Sequence, residues 1–364
     1  MRVAVVDGGW GGHRLAMASV LGAGIASQGH DVQLVVSGSG RISAEFEVHC
    51  ASFSSRVVAD NASGLAWWLA ALNSLECDLA VFPKCDNLVR HSECIELLQR
   101  APFSSSGLLL KVAPGQDVAL KGDVAIERDA RLRAACEALE LGALDQLALL
   151  KGYGDRRHHT VPYFNTRPSA IRWVEEPPLL PCAEGSRRPW DIEYALLAGE
   201  VSWRKAAGEV CDAWPDVFAD TGVGLALVGP IHPSVRDQVA RLRATAPGAV
   251  FVVDRYVTND ELAAWHRHAR LVMATFSDDQ YAPSGASAIA FDNGVPVVAH
   301  GNKYVNDLVA TSGGGVVLDS LTSEGLVRGI ADISSLDLSL TGLVGRARET
   351  VHDLVSTLLL EGYK

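Results

Sequence analysis

Short apolar runs recur along the chain, each closed by glycine or another turn-former and followed by a stretch of helical spacing. Val3–Val6 is the first, ended at once by Gly8, Gly9, Gly11 and Gly12, and it reads as a buried strand running into a glycine-rich turn. Leu15, Ala18, Gly22 and Ile25 follow at helical intervals, Gly29 can stop that helix, and Val32–Val36 is the next strand. A strand, a helix and a strand in this order form the unit of a parallel sheet. Asp78–Phe82 and Leu108–Val112 read as further strands, with a helix over Arg90–Gln99 between them. Arg131–Leu150 reads as a long helix and Thr160–Tyr163 as a short strand.

The pattern breaks at Arg167–Pro189, which holds Pro168, Pro177, Pro178, Pro181 and Pro189 and suits an extended linker. Alternation then resumes. Strands are expected at Tyr194–Ala198, Gly224–Gly229, Val250–Asp254, Leu271–Thr275, Val295–Ala299 and Val316–Asp319. Helices are expected at Lys205–Trp214, Ser234–Ala244, Thr258–His268, Gly285–Asn293 and Tyr304–Thr311, then near Ser323–Ile333 and Leu343–Leu360. Thr258 with Glu261 three residues on is a capping box. The expected organisation is a first α/β domain over 1–166, a linker over 167–190, a second α/β domain over 191–342, and a C-terminal helix over 343–364 that packs back on the first domain.

Composition narrows the function classes. In 364 residues, 48% are apolar and 21% charged, enough to bury large cores. The formal charge of −11 argues against a dedicated nucleic-acid binder, which needs a basic face. Seven scattered cysteines without a CxxC pair read as reduced thiols, the pattern of a cytoplasmic protein. The opening MRVAVVDGGWGG is expected to be a strand and not a secretion signal, and no apolar stretch reaches the ~20 residues that span a bilayer.

The candidate chemistry sits where strands end. Gly8–His13 follows a strand and opens a helix, so backbone amides and a helix N-terminus can approach an anion. A dinucleotide fingerprint is disfavoured: Arg14 stands where the third glycine of G-x-G-x-x-G would be, and Val36-Ser37-Gly38 offers no acid for a ribose. Nor does the loop match G-x-x-x-x-G-K-[ST]. His13, on this loop, is the candidate catalytic residue, because an unperturbed imidazole in general suits proton transfer near neutrality. Arg204 and Lys205 follow the first strand of the second domain, where two cations could neutralise a leaving diphosphate. Ser284, Gly285 and Ala286 open a helix whose amides could bind phosphate. Lys84, Asp86, Arg90 and His91 after one strand, and Lys111 after another, could line an acceptor pocket or be ordinary loop charges. Arg156, Arg157, His158 and His159 form a basic run, usually a solvated face.

From Tyr194 to Asp319 these motifs, in order, resemble the retaining family-four glycosyltransferases of GT-B fold. Ala198–Lys205 resembles the G-R-L-x-x-x-K-G turn, with Lys205 on the lysine. Leu227-Val228-Gly229-Pro230 resembles v-G-x-G, and Asp254–Val257 with Glu261-Leu262 resembles the segment around the nucleobase. Pro283-Ser284-Gly285 through Asn293–Ala299 resembles the E-x-F-G…E-A-x-x-x-G-x-P-V-V-A signature. In the first domain, Gly8–His13 resembles the first glycine loop of GT-B enzymes, the peptidoglycan GlcNAc transferases among them. The departures are specific. The two glutamates of the signature fall on Tyr281 and Ile289, the turn arginine on Glu200 and the following glycine on Ala206, with Asp278 or Asp279 a possible stand-in for the first carboxylate.

The resemblance implies an α/β chain of two doubly wound Rossmann-like domains facing across a cleft. It implies transfer of a sugar from a nucleotide-sugar, with retention and without metal, to a small-molecule, glycan or lipid-linked acceptor. No cofactor is implied beyond the nucleotide-sugar co-substrate, and peripheral membrane contact is compatible with such an acceptor. Donor-binding residues would be Gly11, Gly12, Arg204, Lys205, Tyr256, Ser284, Gly285 and Ala286, and acceptor-binding residues Lys84, Asp86 and His91. A sugar-nucleotide epimerase and a non-catalytic nucleotide- or partner-binding protein on the same fold are the alternatives.

Overall fold

The computed structural model describes residues 1–9, 14–58, 62–109, 123–151, 170–175, 187–280, 284–336, 338 and 342–359. The chain divides into two compact units, one built on Met1–Lys151 with later additions and one within Leu180–Ala347.

The first unit runs β1 (Arg2–Asp7), α1 (Arg14–Ser27), β2 (Asp31–Val36), α2 (Gly38–Arg41), α3 (Ala44–Cys50), β3 (Ser55–Val57), α4 (Gly64–Ser74), β4 (Leu79–Phe82), α5 (Ser92–Arg100), β5 (Ser104–Leu109), α6 (Asp123–Glu140), β6 (Gln146–Lys151) and β7 (Ile171–Glu175). The strands form one parallel sheet in the order β3-β2-β1-β4-β5-β6-β7. Both faces are covered, which is why β1 is apolar from Val3 to Val6. Val3 and Val5 enter one core with α1 and α3, while Ala4 and Val6 enter the other with α4, α5 and α6.

The second unit runs β8 (Tyr194–Ala198), α7 (Ala207–Thr221), β9 (Gly224–Val228), α8 (Arg236–Thr245), β10 (Val250–Val253), α9 (Asn259–Arg267), β11 (Leu271–Gln280), α10 (Gly285–Asp292), β12 (Val297–Asn302), α11 (Lys303–Ser312), β13 (Gly315–Val317) and α12 (Ser323–Ile333). Its sheet is parallel, in the order β10-β9-β8-β11-β12-β13. The last helix, α13 (Ala347–Leu358), starts where Asp292 Oδ1 accepts from Ala347 N at 2.8 Å. Its Leu354, Val355 and Leu358 then join the α1 core of the first unit, and Ser106 Oγ donates to Leu358 O at 2.7 Å. Gly24 of α1 makes that packing possible: a Cβ there would stand 2.7 Å from Val355 Cγ2. Thus α/β architecture with two doubly wound sheets is what the chain adopts.

Two stretches differ from the sequence reading. Arg131–Leu150 is not one helix: α6 ends at Glu140, Gly142 takes φ +73°, and the amides of Ala143 and Leu144 both turn back to Ala138 O. The apolar run after it, Gln146–Lys151, is strand β6, because a short apolar segment fits a buried strand and a helix equally well until its flanks decide. Within the stretch read as linker, Ile171–Glu175 pairs with β6 as β7; it carries none of the prolines. The Thr160–Tyr163 strand lies outside the described residues.

Ala206 is the one described non-glycine residue at positive φ (50°), and it stands where the resembled motif has glycine. A Cβ in this left-handed region costs about 1–2 kcal/mol, partly offset in Ala206→Gly by the freer unfolded chain. We expect Ala206→Gly to raise stability by about 0.5–1 kcal/mol in urea unfolding. A destabilised variant would mean that the buried methyl outweighs the strain.

Candidate functional site

In each sheet the chain leaves two adjacent strands in opposite directions: β1 and β4 in the first unit, β8 and β11 in the second. Doubly wound sheets open a ligand crevice at the carboxyl ends of such a strand pair. Each unit therefore has one position where chemistry is expected.

In the second unit the loop after β8 is held as an extra rung against the loop after β9. Val201 N donates to Pro230 O at 3.0 Å and His232 N to Val201 O at 2.9 Å. Gly229 permits this, since a Cβ on it would stand 2.2 Å from Gly199 O. A short turn at Trp203–Lys205 then delivers two cations of different character. Arg204 is exposed, whereas the Lys205 side chain folds inward and its Nζ donates to Ala198 O at the end of β8. The Lys205 backbone is tied to β11, because buried Thr275 donates through Oγ1 to Lys205 O at 2.8 Å. Burial, and then the neighbouring Arg204, lower the Lys205 ammonium to about 8, with Glu200 opposing them.

Ser284 caps α10 across the strand pair, its Oγ 3.5 Å from Ser287 N, and Gly285 and Ala286 form the first turn. Arg204–Lys205 and Ser284–Ala286 thus follow neighbouring strands and share one sheet edge. Tyr256 follows β10, two strands away, and its carbonyl accepts from Arg255 Nη1 at 3.3 Å. Arg255 is in turn gripped by Glu261 at 2.9 and 2.5 Å, and that hydrogen-bonded pair is the main reason the Glu261 carboxyl falls to about 2. Glu261 also completes the capping box with Thr258. Ile289, where the resemblance expects a ribose-binding glutamate, is buried in α10; Tyr281 lies outside the described residues.

Sequence reasoning overlooked His266 of α9, a buried imidazole whose Nδ1 pairs with Leu262 O at 2.9 Å. Burial holds its pKa down at about 4, and the Lys205 charge adds to that depression. It had no sequence signal beyond being a histidine two residues before His268.

In the first unit, β1 ends in Asp7, only 1% exposed. Its carboxylate accepts from Gly9 N at 2.9 Å and from Arg14 through Nε at 3.2 Å and Nη2. Burial raises the Asp7 pKa, and Arg14 pulls against it. The two described glycines of the loop are fixed by close approach: a Cβ on Gly8 would meet the Trp67 ring at 2.5 Å, and one on Gly9 would meet Arg14 Nη1 at 2.1 Å.

Beside this clamp lies a cavity of about 730 Å³, walled by Gly8, Gly9, Arg14, Trp67, Arg90 and His91 among others. Of the three acceptor residues expected after β4, His91 reaches the cavity wall. Asp86 is fully buried, with Arg131 at 3.8 Å. Lys84 is half-buried, its ammonium lowered first by burial and then by Arg14. Gly11, Gly12, His13, Lys111 and the basic run at 156–159 lie outside the described residues. Arg14 was visible in the sequence only as the residue that spoils a dinucleotide fingerprint; that it clamps Asp7 emerges from the fold.

No protein-family model matches the chain, and no curated protein matches it by sequence. Solved structures do match over its whole length. The UDP-GlcNAc 2-epimerase of Methanocaldococcus jannaschii aligns with a TM-score of 0.64 at 10% identity, covering 99% of this chain and 100% of that one. The sucrose-phosphate synthase of Thermosynechococcus elongatus aligns at 0.59 and 17% identity, covering 100% and 98%. The spinosyn forosaminyltransferase aligns at 0.60 and 15%, covering both chains fully at 100%. At these identities the likeness establishes the fold, a GT-B arrangement of two Rossmann-like domains.

Proposed function

We propose that the protein transfers a sugar from a nucleotide-sugar to an acceptor, the second unit binding the donor and the first the acceptor. The carrying observation is the inward-folded Lys205 beside exposed Arg204 at the strand-pair edge of the second sheet. When the bond from the sugar to the diphosphate breaks, negative charge grows on the departing phosphate oxygen. A cation already held in a part-buried position stabilises that charge without reorganising. A neighbouring anion also favours the protonated amine, so donor binding raises the Lys205 pKa from about 8 and takes up a proton above that pH. The amides of Gly285 and Ala286, with the Ser284 hydroxyl, supply further donors to phosphate. In this reading transfer proceeds with retention and without metal, and His13 contacts the reacting sugar or leaving phosphate.

Nucleotide release from UDP-, GDP- and dTDP-sugars, measured with and without a panel of acceptors, tests the reading. Acceptor-dependent release supports it. Binding without turnover under any acceptor would replace it with a non-catalytic role. A second reading, sugar-nucleotide epimerisation, draws on Asp7, a buried carboxyl of raised pKa beside the cavity of the first unit, and on the activity named for the Methanocaldococcus structure. Inversion of a sugar carbon in the donor without any acceptor would favour it.

A further inference from the structure

We infer that the cavity of the first unit binds a small polyhydroxylated ligand through an anionic group, a phosphoryl or a carboxylate. This deepens the proposed function by giving the acceptor a chemical class, and it rests on that proposal only for the word acceptor.

The charge of the wall is the first reason. The protein carries a formal charge of −11, yet the described residues lining the cavity include Arg14, Arg90 and His91 and no carboxylate. Asp7, beside the wall, is turned to Arg14 and Gly9. That clamp engages only one side of the guanidinium. Nε and Nη2 go to Asp7, while Nη1 has no partner among the described residues and lies against Gly9, itself on the wall. A guanidinium pre-oriented by a buried acid, with the two N–H groups of Nη1 free to donate, is suited to a planar or tetrahedral oxyanion.

The surroundings agree. α4 and α5 start at this cavity with Ser63 and His91 at their N-cap positions, and neither side chain makes a cap hydrogen bond. Their first-turn amides add positive potential on the same side. The rest of the wall fits the body of such a ligand. Ser37, Ser39 and Asn87 offer hydroxyl and amide groups, and the Trp67 and Trp68 rings offer an apolar wall. A volume near 730 Å³ accommodates a mono- or disaccharide-sized molecule.

The test is calorimetric titration of the full chain with glucose 1-phosphate, glucuronate, glucose and inorganic phosphate. Glucose 1-phosphate or glucuronate is expected to bind at least about tenfold tighter than glucose, the better of the two identifying the anion. Arg90→Ala should weaken that binding about tenfold, Arg90→Lys should restore part of it, and Lys205→Ala should leave it unchanged. Unaltered melting of Arg90→Ala confirms that a loss is local. Three results would each overturn the inference: equal affinity for glucose and its phosphate, inorganic phosphate binding as tightly as the sugar phosphate, or binding that Lys205→Ala abolishes and Arg90→Ala spares. Nucleotide-sugar binding is titrated on the same samples. Its absence would defeat the donor assignment while leaving the cavity result standing.

Discussion

Arg14→Met should lower the stability of the protein by about 3 kcal/mol at pH 7. Removing one partner of a buried ion pair strands the other, and such losses run to about 3–5 kcal/mol. Asp7 is 1% exposed and the Arg14 side chain 18%, so the stranded carboxylate has little access to water and the lower end applies. The pH dependence identifies the cause. Burial already raises the Asp7 pKa above 3.8 with Arg14 present, and without it the rise is larger. A group whose folded pKa is raised is best tolerated below its unfolded value, and its stabilising contribution is lost as pH rises through the folded pKa. The deficit of Arg14→Met should therefore be fullest at neutral pH and shrink toward pH 4, where Asp7 takes a proton. Asp7→Asn in the same background should recover much of the loss. Urea unfolding of the four proteins of this cycle, at pH 7 and pH 4.5, gives both readings. A deficit that does not depend on pH would assign the cost to lost packing of the arginine stem.

Lys205→Ala should weaken nucleotide-sugar binding by about tenfold to a hundredfold, the worth of one charge-assisted hydrogen bond of about 1.5–3 kcal/mol. Arg204→Ala should cost less, because an exposed cation is screened by solvent. The wild-type affinity should hold below about pH 8 and fall above it as the free lysine loses its proton. Lys205→Arg should remove that fall, since guanidinium keeps its charge. Stability should move the other way. The Lys205 pKa drops from 10.5 to about 8 on folding, so its buried charge opposes folding below about pH 8, and that cost is relieved as pH rises toward 10.5. Lys205→Met should thus fold at least as well as the parent while binding donor poorly. Full donor affinity in Lys205→Ala would remove the lysine from the site.

The alternation of apolar runs and helical spacings determined, without any structure, that the chain is α/β with parallel strands, and it offered candidate residues at strand ends, among them those after β1, β4, β8 and β11. Those features are local. A strand buried on both faces must be apolar through its length, and a strand-to-helix turn must carry its polar and glycine residues at one end. The turn at Arg204–Lys205 and the helix start at Ser284 were placed for that reason, while the donor-binding role proposed for them came from the resemblance. What the tertiary structure decided concerns partners far apart in sequence, or elements whose local signal is ambiguous. β6 could not be told from the end of a helix until Gly142 turned the chain and β5 offered its edge. Buried Asp86 meets Arg131 of α6, and the tight loop of Gly8 depends on Trp67 of α4. Arg14 seemed a flaw in a motif because its role exists only once β1 and α1 bring its guanidinium onto a carboxylate that the fold has taken out of water.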